Sequence, residues 1–460
     1  MKNGLSFKLD SKAYNEKISK VLLYRERGKL SKSIGLTFEG YLPGAAVGSI
    51  VRVIPSHSQE FSSDIVQGVA IEAEVIGFKD KRVVLMPLDE SRGISNTSKI
   101  ILSEAEASIA VGDFLLGRVI DGKGDPIDGK GPLGAGIKNL KKKTIYGAPV
   151  NPLERRPITE PLDLGIRAIN GLLTCGKGQR MGIMAGSGVG KSVLLGMMSR
   201  HTKADINVIA LIGERGREVR EFIERDLGEE GLKRSVVVVC TNDKSPLLRM
   251  RGAFVATTIA EHFCERNKDV LLLMDSVTRF AMAQREIGLS MGEPPASKGY
   301  TPSVFSTLPK LLERAGTRKG TGSITGLYTV LVEGDDMDEP IADATRSILD
   351  GHIVLSRQLA NRNHFPAIDV SQSVSRVMRS VIQKQHSTVA SDLKDLMAIY
   401  AQNEDLINIG AYVKGSNPRL DQAVSVMDRV RAFLRQGVDE YSGIDECAAM
   451  MTGIAKAAGG

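Results

Sequence analysis

The stretch Arg180-Met181-Gly182-Ile183-Met184-Ala185-Gly186-Ser187-Gly188-Val189-Gly190-Lys191-Ser192 decides how this chain folds. Its apolar start reads as a buried strand. The glycines break that strand, and Lys191-Ser192 opens a helical pattern through Val193-Leu194-Leu195-Gly196-Met197-Met198. Strand, glycine loop and helix in this order form a phosphate cradle. Gly186, Gly188 and Gly190, with Ser187 and Val189 between them, let successive backbone N–H groups turn inward as an anion nest. The helix start, at Ser192 and Val193, adds free N–H groups and the positive end of the helix dipole. Lys191 can neutralise charge on the β- and γ-phosphates, and the Ser192 hydroxyl can ligate Mg²⁺. The first position of the motif, usually Gly, is Ala185 here.

Outward from the cradle, 460 residues are too many for one core and predict about three domains. A hydrophobic share of 42% with 25% charged residues matches an ordinary globular chain. The apolar runs are strand-length, far below the roughly 20 residues of a membrane span. The polar start Met1-Lys2-Asn3-Gly4 predicts no secretion signal, so a cytoplasmic location is expected. Cys175, Cys240, Cys264 and Cys447 are scattered, which suits buried thiols in a reducing compartment and no disulfide frame. A net charge of +7 permits contact with anionic lipid or nucleic acid without demanding it. No aromatic-rich module precedes the cradle, so nucleic acid is not an expected partner.

Residues 1–28 are polar with apolar spots at Tyr14, Ile18, Val21 and Leu22, near helical spacing, and predict a short amphipathic helix, either a partner-binding segment or a helix packed on its own domain. From Ser33 to Pro87 the period shortens to strands broken by Gly and Pro. Ile34–Phe38, Ser49–Val53, Ile65–Ile71 and Arg82–Met86 are short and closely spaced, as in a small β-sandwich or barrel, placed at 29–98. The run Asp113–Val119 closes this part. A turn-rich linker over 99–160 leads into the core, with Asp121-Gly122, Gly124-Asp125-Pro126 and Asp128-Gly129 along it.

The core, 161–379, alternates strands and helices as a parallel sheet requires. Asn207–Ile212, Val236–Cys240 and Val270–Asp275 are apolar on both faces, the mark of buried parallel strands. Leu327–Leu331 adds another, and from about Ser380 to residue 460 the pattern is helical. The fold class is therefore α/β: a P-loop core with a parallel sheet, a small β-barrel before it and a helical domain after it.

Two carboxylates fall on the edge where open α/β sheets bind ligands. Asp275 ends an apolar strand and can hold the water shell of a Mg²⁺ beside Ser192. Glu214 follows the strand ending at Ile212 and could orient and polarise a water attacking the γ-phosphate. A helix-start Glu favoured by the dipole is the plainer alternative for Glu214. Arg215 could pair with phosphate or fix Glu214.

Gly213-Glu214-Arg215, Leu273–Phe280 and Pro366-Ala367-Ile368-Asp369-Val370-Ser371-Gln372-Ser373-Val374-Ser375 resemble the rotary ATP synthase catalytic and regulatory subunit family. Similarity runs from about residue 30 to about 440 and implies a RecA-like core. Within the family, Ala168–Thr174, Ala185–Met198 and Gly410–Ser416 look like the flagellar type III protein-export ATPases. Injectisome relatives usually carry Cys where Val189 stands and Thr-Leu where Val193-Leu194 stands. The resemblance implies that Lys191 is the phosphate lysine and Ser192 the Mg²⁺ ligand. It makes Glu214 the water-activating carboxylate, which with Asp275 reaches the metal through water. Arg279 falls on an arginine of the phosphate region, and Phe365 on an aromatic that stacks on adenine. Arg376 matches a finger that reaches a neighbour's nucleotide.

Because Glu214 and Arg376 stand on one chain, a ring of identical copies could complete every site, and the resemblance implies six. It further implies ATP/ADP and Mg²⁺ as ligands and a place at the cytoplasmic face of the inner membrane, peripherally attached at the flagellar base. Implied partners are a stator or regulator protein on the N-terminal segment, a coiled-coil stalk protein, the export-gate membrane protein, and export chaperones with their substrates. The alternatives are an injectisome ATPase and the catalytic subunit of a proton- or sodium-driven rotary synthase.

Overall fold

The computed structural model describes residues 27–55, 70–332, 334 and 336–458. The partner-binding segment expected at the N-terminus, and most of the strand expected at Ile65–Ile71, lie outside these residues. The chain divides into two compact units, the first ending at Ala107 and the second beginning at Ser108.

The first unit holds a closed six-stranded barrel of β1 (Arg27–Ile34), β2 (Thr37–Tyr41), β3 (Ile50–Ile54), β4 (Ile71–Lys79), β5 (Arg82–Pro87) and β6 (Lys99–Glu104), in the order β1-β2-β5-β4-β3-β6. Its centre is filled by Leu30, Phe38, Val51, Val53, Val75 and Leu85, alternate residues of their strands. The run expected as one strand, Ile34–Phe38, instead turns: Gly35 has a φ of +55° between β1 and β2. That backbone costs a glycine little, which is why the chain reverses there. β6 falls within the stretch expected to be linker and is a stave of the barrel.

In the second unit a short ribbon of β7 (Ser108–Ala110) and β9 (Lys142–Thr144) flanks the edge strand β8 (Arg118–Asp121), and β10 (Pro161–Leu162) pairs with β11 (Cys175–Gly176). The main sheet continues through β12 (Arg180–Ala185), β13 (Ile206–Ile212), β14 (Ser235–Cys240) and β15 (Asp269–Asp275). β16 (Gly316–Thr317), β17 (Ser323–Leu331), β18 (Gly351–Leu355) and β19 (Ile368–Ser375) complete it. Its order is β19-β18-β12-β17-β15-β13-β14-β8, parallel from β18 to β8, with β19 and the short β16 antiparallel. β13 and β14 are buried at every position, as their Val- and Ile-rich sequences require of strands covered on both faces. The run Asp113–Val119 thus does not close the barrel: Asp113–Leu115 is a 3₁₀ turn, and the chain then enters the core sheet beside β14.

Helix Pro246–Cys264 backs the sheet. Pro246 sits in its first turn, where no amide hydrogen is needed, and the Ser245 hydroxyl caps it by accepting from the Leu248 N–H at 3.2 Å. Three helices, Lys384–Asn408, Pro418–Leu434 and Ile444–Ala458, end the chain. Leu393, Leu396, Val426, Val430, Phe433 and Met451 share one buried cluster with the core strands, so the terminal helices rest on the same hydrophobic layer as the sheet. No helix of the described residues is long and apolar enough to cross a membrane.

Candidate active site

The parallel strands bring their C-terminal ends to one edge. Register places Ala185 beside Leu331 and Leu355, and Leu211 beside Asp275. The cradle, Glu214 and Asp275 therefore emerge together although they lie far apart in sequence. Gly188 and Gly190 have φ of +77° and +83°, and Gly190 is the N-cap of helix Lys191–His201. Val189 turns inward and is buried in the core, anchoring the loop, while Ser187 and Gly188 are exposed and Gly190 is half-buried.

The Lys191 ammonium donates to the Asp275 carboxylate and lies 3.8 Å from Glu214 Oε1. The Thr329 hydroxyl, from the strand between β12 and β15, donates to Asp275 Oδ1 at 2.7 Å and fixes that carboxylate. Burial, and then the charge of Asp275, push the Glu214 carboxyl up to about 7, while Lys191 pulls it down. Glu218, which shares a hydrogen bond with Glu214, is held below its usual range mainly by that bond. A carboxyl that titrates near neutrality in a cleft is suited to proton handling.

Arg215 does not join this cluster. Its exposed guanidinium donates to Glu218 at 3.1 Å, so it acts on Glu214 only through Glu218. Arg279 packs its stem against Gly213, where a Cβ would stand 2.8 Å from Arg279 Cβ and Cγ. Among the described residues its buried Nε finds no acceptor. Ser192 and Val193 are exposed on the first helical turn beside the cradle. The Phe365 ring, 41% exposed, lies over the loop: a Cβ at Gly190 would touch Cδ1 and Cε1 at 3.4 Å. The Phe365 carbonyl accepts from the Gln436 N–H at 2.9 Å, which ties this ring to the segment after helix Pro418–Leu434.

Arg376 stands elsewhere. Ser375 pairs with Gly351, at the N-terminal end of β18, whereas the cradle lies beyond its C-terminal end at Leu355. The four-residue step between them spans roughly 13 Å of strand. The guanidinium makes one long bond, 3.4 Å, to the Arg346 carbonyl and is exposed. The structure thus brings Lys191, Asp275 and Glu214 together with Ser192 and Phe365 close by, and sets Arg376 at the opposite edge. Thr329 and Glu218 are not singled out by the sequence reading. Only the topology shows that Thr329 borders Asp275, while Glu218 reads as one charge of a solvated helix.

The donor set fits a magnesium nucleotide. Ser192 and the two carboxylates offer the hard oxygens that Mg²⁺ takes, and the nest offers N–H groups to phosphate. A glycine cradle, a lysine between two strand-end carboxylates and a parallel sheet define a P-loop nucleotide-binding ATPase.

Residues 165–375 match the ATP synthase alpha/beta family, nucleotide-binding domain, and residues 382–453 match the T3SS EscN ATPase C-terminal domain. The flagellum-specific ATP synthase of Pseudomonas aeruginosa is 50% identical over 450 residues, 98% of this chain and 97% of that protein. That of Bacillus subtilis is 49% identical over 431 residues, 94% of this chain and 95% of that protein. The assembled ATPase EscN of the enteropathogenic E. coli type III secretion system superposes with a TM-score of 0.86 at 45% identity, over 93% of this chain and all of that one. EscN in complex with its central stalk EscO gives 0.83 at 44% identity, over 93% of this chain and 100% of that one. The chain belongs to the ATP synthase alpha/beta family, in the group that holds the flagellum-specific ATP synthases and EscN. The fold expected from sequence, barrel, P-loop core and terminal helices, is the one observed.

Proposed function

We propose that this chain is the ATPase of a flagellar type III export apparatus and works as a homohexameric ring on the cytoplasmic side of the inner membrane. One observation carries the mechanism: Glu214 stands at the cradle of its own chain, whereas Arg376 stands across the sheet from it. Each reaction centre is then shared by two copies. The nest and Lys191 hold the phosphates of ATP, and Phe365 stacks on adenine through its ring face. Arg279, its stem packed against Gly213, offers its guanidinium to the phosphates. Ser192 would hold Mg²⁺ directly, with Asp275 and Glu214 reaching it through water; when bound, the ion supplies positive charge to the phosphate oxygens. Glu214 orients a water whose oxygen forms the new bond to the γ-phosphorus as the bond to the bridging oxygen breaks. The water proton passes to the carboxylate or to the departing phosphate, ADP carries away the bridging oxygen, and no phosphoenzyme forms. Arg215 acts as a positioning residue through Glu218.

The relatives named for flagella and the stalk bound to EscN support this assignment, with a coiled-coil stalk as one partner. A stator or regulator protein, the export gate and export chaperones with their substrates complete the set we propose. Deleting the gene and scoring motility together with filament-protein secretion tests it. Loss of both is expected. Normal motility with loss of a non-flagellar secreted protein would transfer the assignment to an injectisome.

Phe365→Ala isolates the base-binding part of the reading. Loss of a stacking face costs about 1 kcal/mol, so nucleotide affinity measured by fluorescent-nucleotide titration should fall several-fold with the maximal rate nearly kept. Unchanged affinity would show that the ring only packs.

A further inference from the structure

Beside Arg376, on the face away from its own cradle, lies an open cleft of about 420 Å³. Ser387, Ala390, Ser391 and Lys394 of helix Lys384–Asn408 form one wall, and their spacing puts them on a single helical face. Arg376 and Arg379, from the end of β19 and the short helix Met378–Val381, form the other. Three cationic groups and three serines thus line one space, the Ser375 hydroxyl donating to the Thr174 carbonyl, and among the described residues no acidic side chain lines it.

The arrangement is electrostatically costly as it stands. Lys394 is half-buried, and both burial and the charge of Arg379 lower its ammonium below the usual lysine range. The nearest carboxylate along the helix with a recorded partner, Asp395, is occupied by Arg419. Like charges gathered in a concavity with hydroxyl donors and no carboxylate favour a small, multiply charged oxyanion.

We infer that this cleft is a second phosphate site, in which Arg379 and Lys394, with the Ser387 and Ser391 hydroxyls, take inorganic phosphate released at the adjoining copy's reaction centre. The inference rests on the proposed reach of Arg376 to that centre, because the same cleft contains the Arg376 side chain. The cleft gives the anion a place to go once the bond to ADP is broken, on a different copy from the one that keeps the nucleotide.

Titration calorimetry of the full-length protein with inorganic phosphate, without nucleotide, tests this directly. Phosphate binding should persist in Lys191→Ala, whose own cradle is disabled, and weaken by about tenfold or more in Arg379→Gln/Lys394→Gln, which removes two charge-assisted donors. Lys394→Arg, which keeps the charge, should retain binding, and the thermal melt of each variant reports that it is folded. Equal phosphate binding by wild type and the double variant, or loss of all phosphate binding in Lys191→Ala, would overturn the inference. Neither outcome depends on hydrolysis, so the shared reaction centre can fail or stand separately.

Discussion

Glu214→Gln is expected to lower steady-state ATP hydrolysis by about 10²- to 10⁴-fold, the range of a positioned general base, while nucleotide binding is kept. Glutamine preserves the shape of the side chain beside Lys191 but cannot accept a proton or align water as a carboxylate does. The pH profile gives the same residue a second test. Burial and Asp275 raise the Glu214 carboxyl to about 7 in the free protein. Below that pH the carboxyl is increasingly protonated and cannot serve as a base, so wild-type kcat/KM should fall on the acid side with a midpoint near 7. The Gln variant has no such group and should lack this limb. Wild-type turnover by Glu214→Gln, or an acid limb that survives the substitution, would remove Glu214 from the chemistry.

Arg376→Ala should leave the fold and ATP binding intact and slow turnover by about 10³- to 10⁵-fold, as loss of an arginine finger does in other nucleotide hydrolases. The side chain is exposed and its one recorded bond, to the Arg346 carbonyl, is long, so little stability is at stake. Its own cradle lies across the sheet. Any large kinetic effect must therefore act through a second copy, and dilution to monomers should mimic the substitution in the wild type. Full activity of Arg376→Ala would end the shared-centre account.

The cradle was legible because its function is local: glycine freedom, a lysine and a hydroxyl within a few residues on a strand–helix junction. Asp275 and Glu214 were legible for a related reason. A parallel sheet sends every C-terminal strand end to one edge, so an apolar run ending in a carboxylate already has an address. What depended on long-range pairing was not legible. β8 joins β14 across more than a hundred residues of chain, and nothing in Arg118–Asp121 distinguishes it from a last barrel strand. Thr329 could be read as a strand residue, but not as the donor that fixes Asp275. The turn at Gly35 was hidden because the apolar residues around it continue the strand pattern on both sides. Arg215 shows the converse. Its neighbour in sequence suggested a shared role, whereas the start of a helix at Gly216 lets it reach Glu218 one turn on.

The central claim is that one copy supplies the carboxylate base and its neighbour the guanidinium. Mixing Glu214→Gln and Arg376→Ala subunits, each nearly inactive alone, tests it most directly. In a randomly mixed ring at equal ratio about a quarter of the interfaces join an intact Glu214 to an intact Arg376. The account predicts that ATPase activity of the mixture rises well above the sum of the two separate preparations and peaks near equal ratio. Activity that never exceeds that sum, in mixtures shown to contain both variants in one ring, would contradict it.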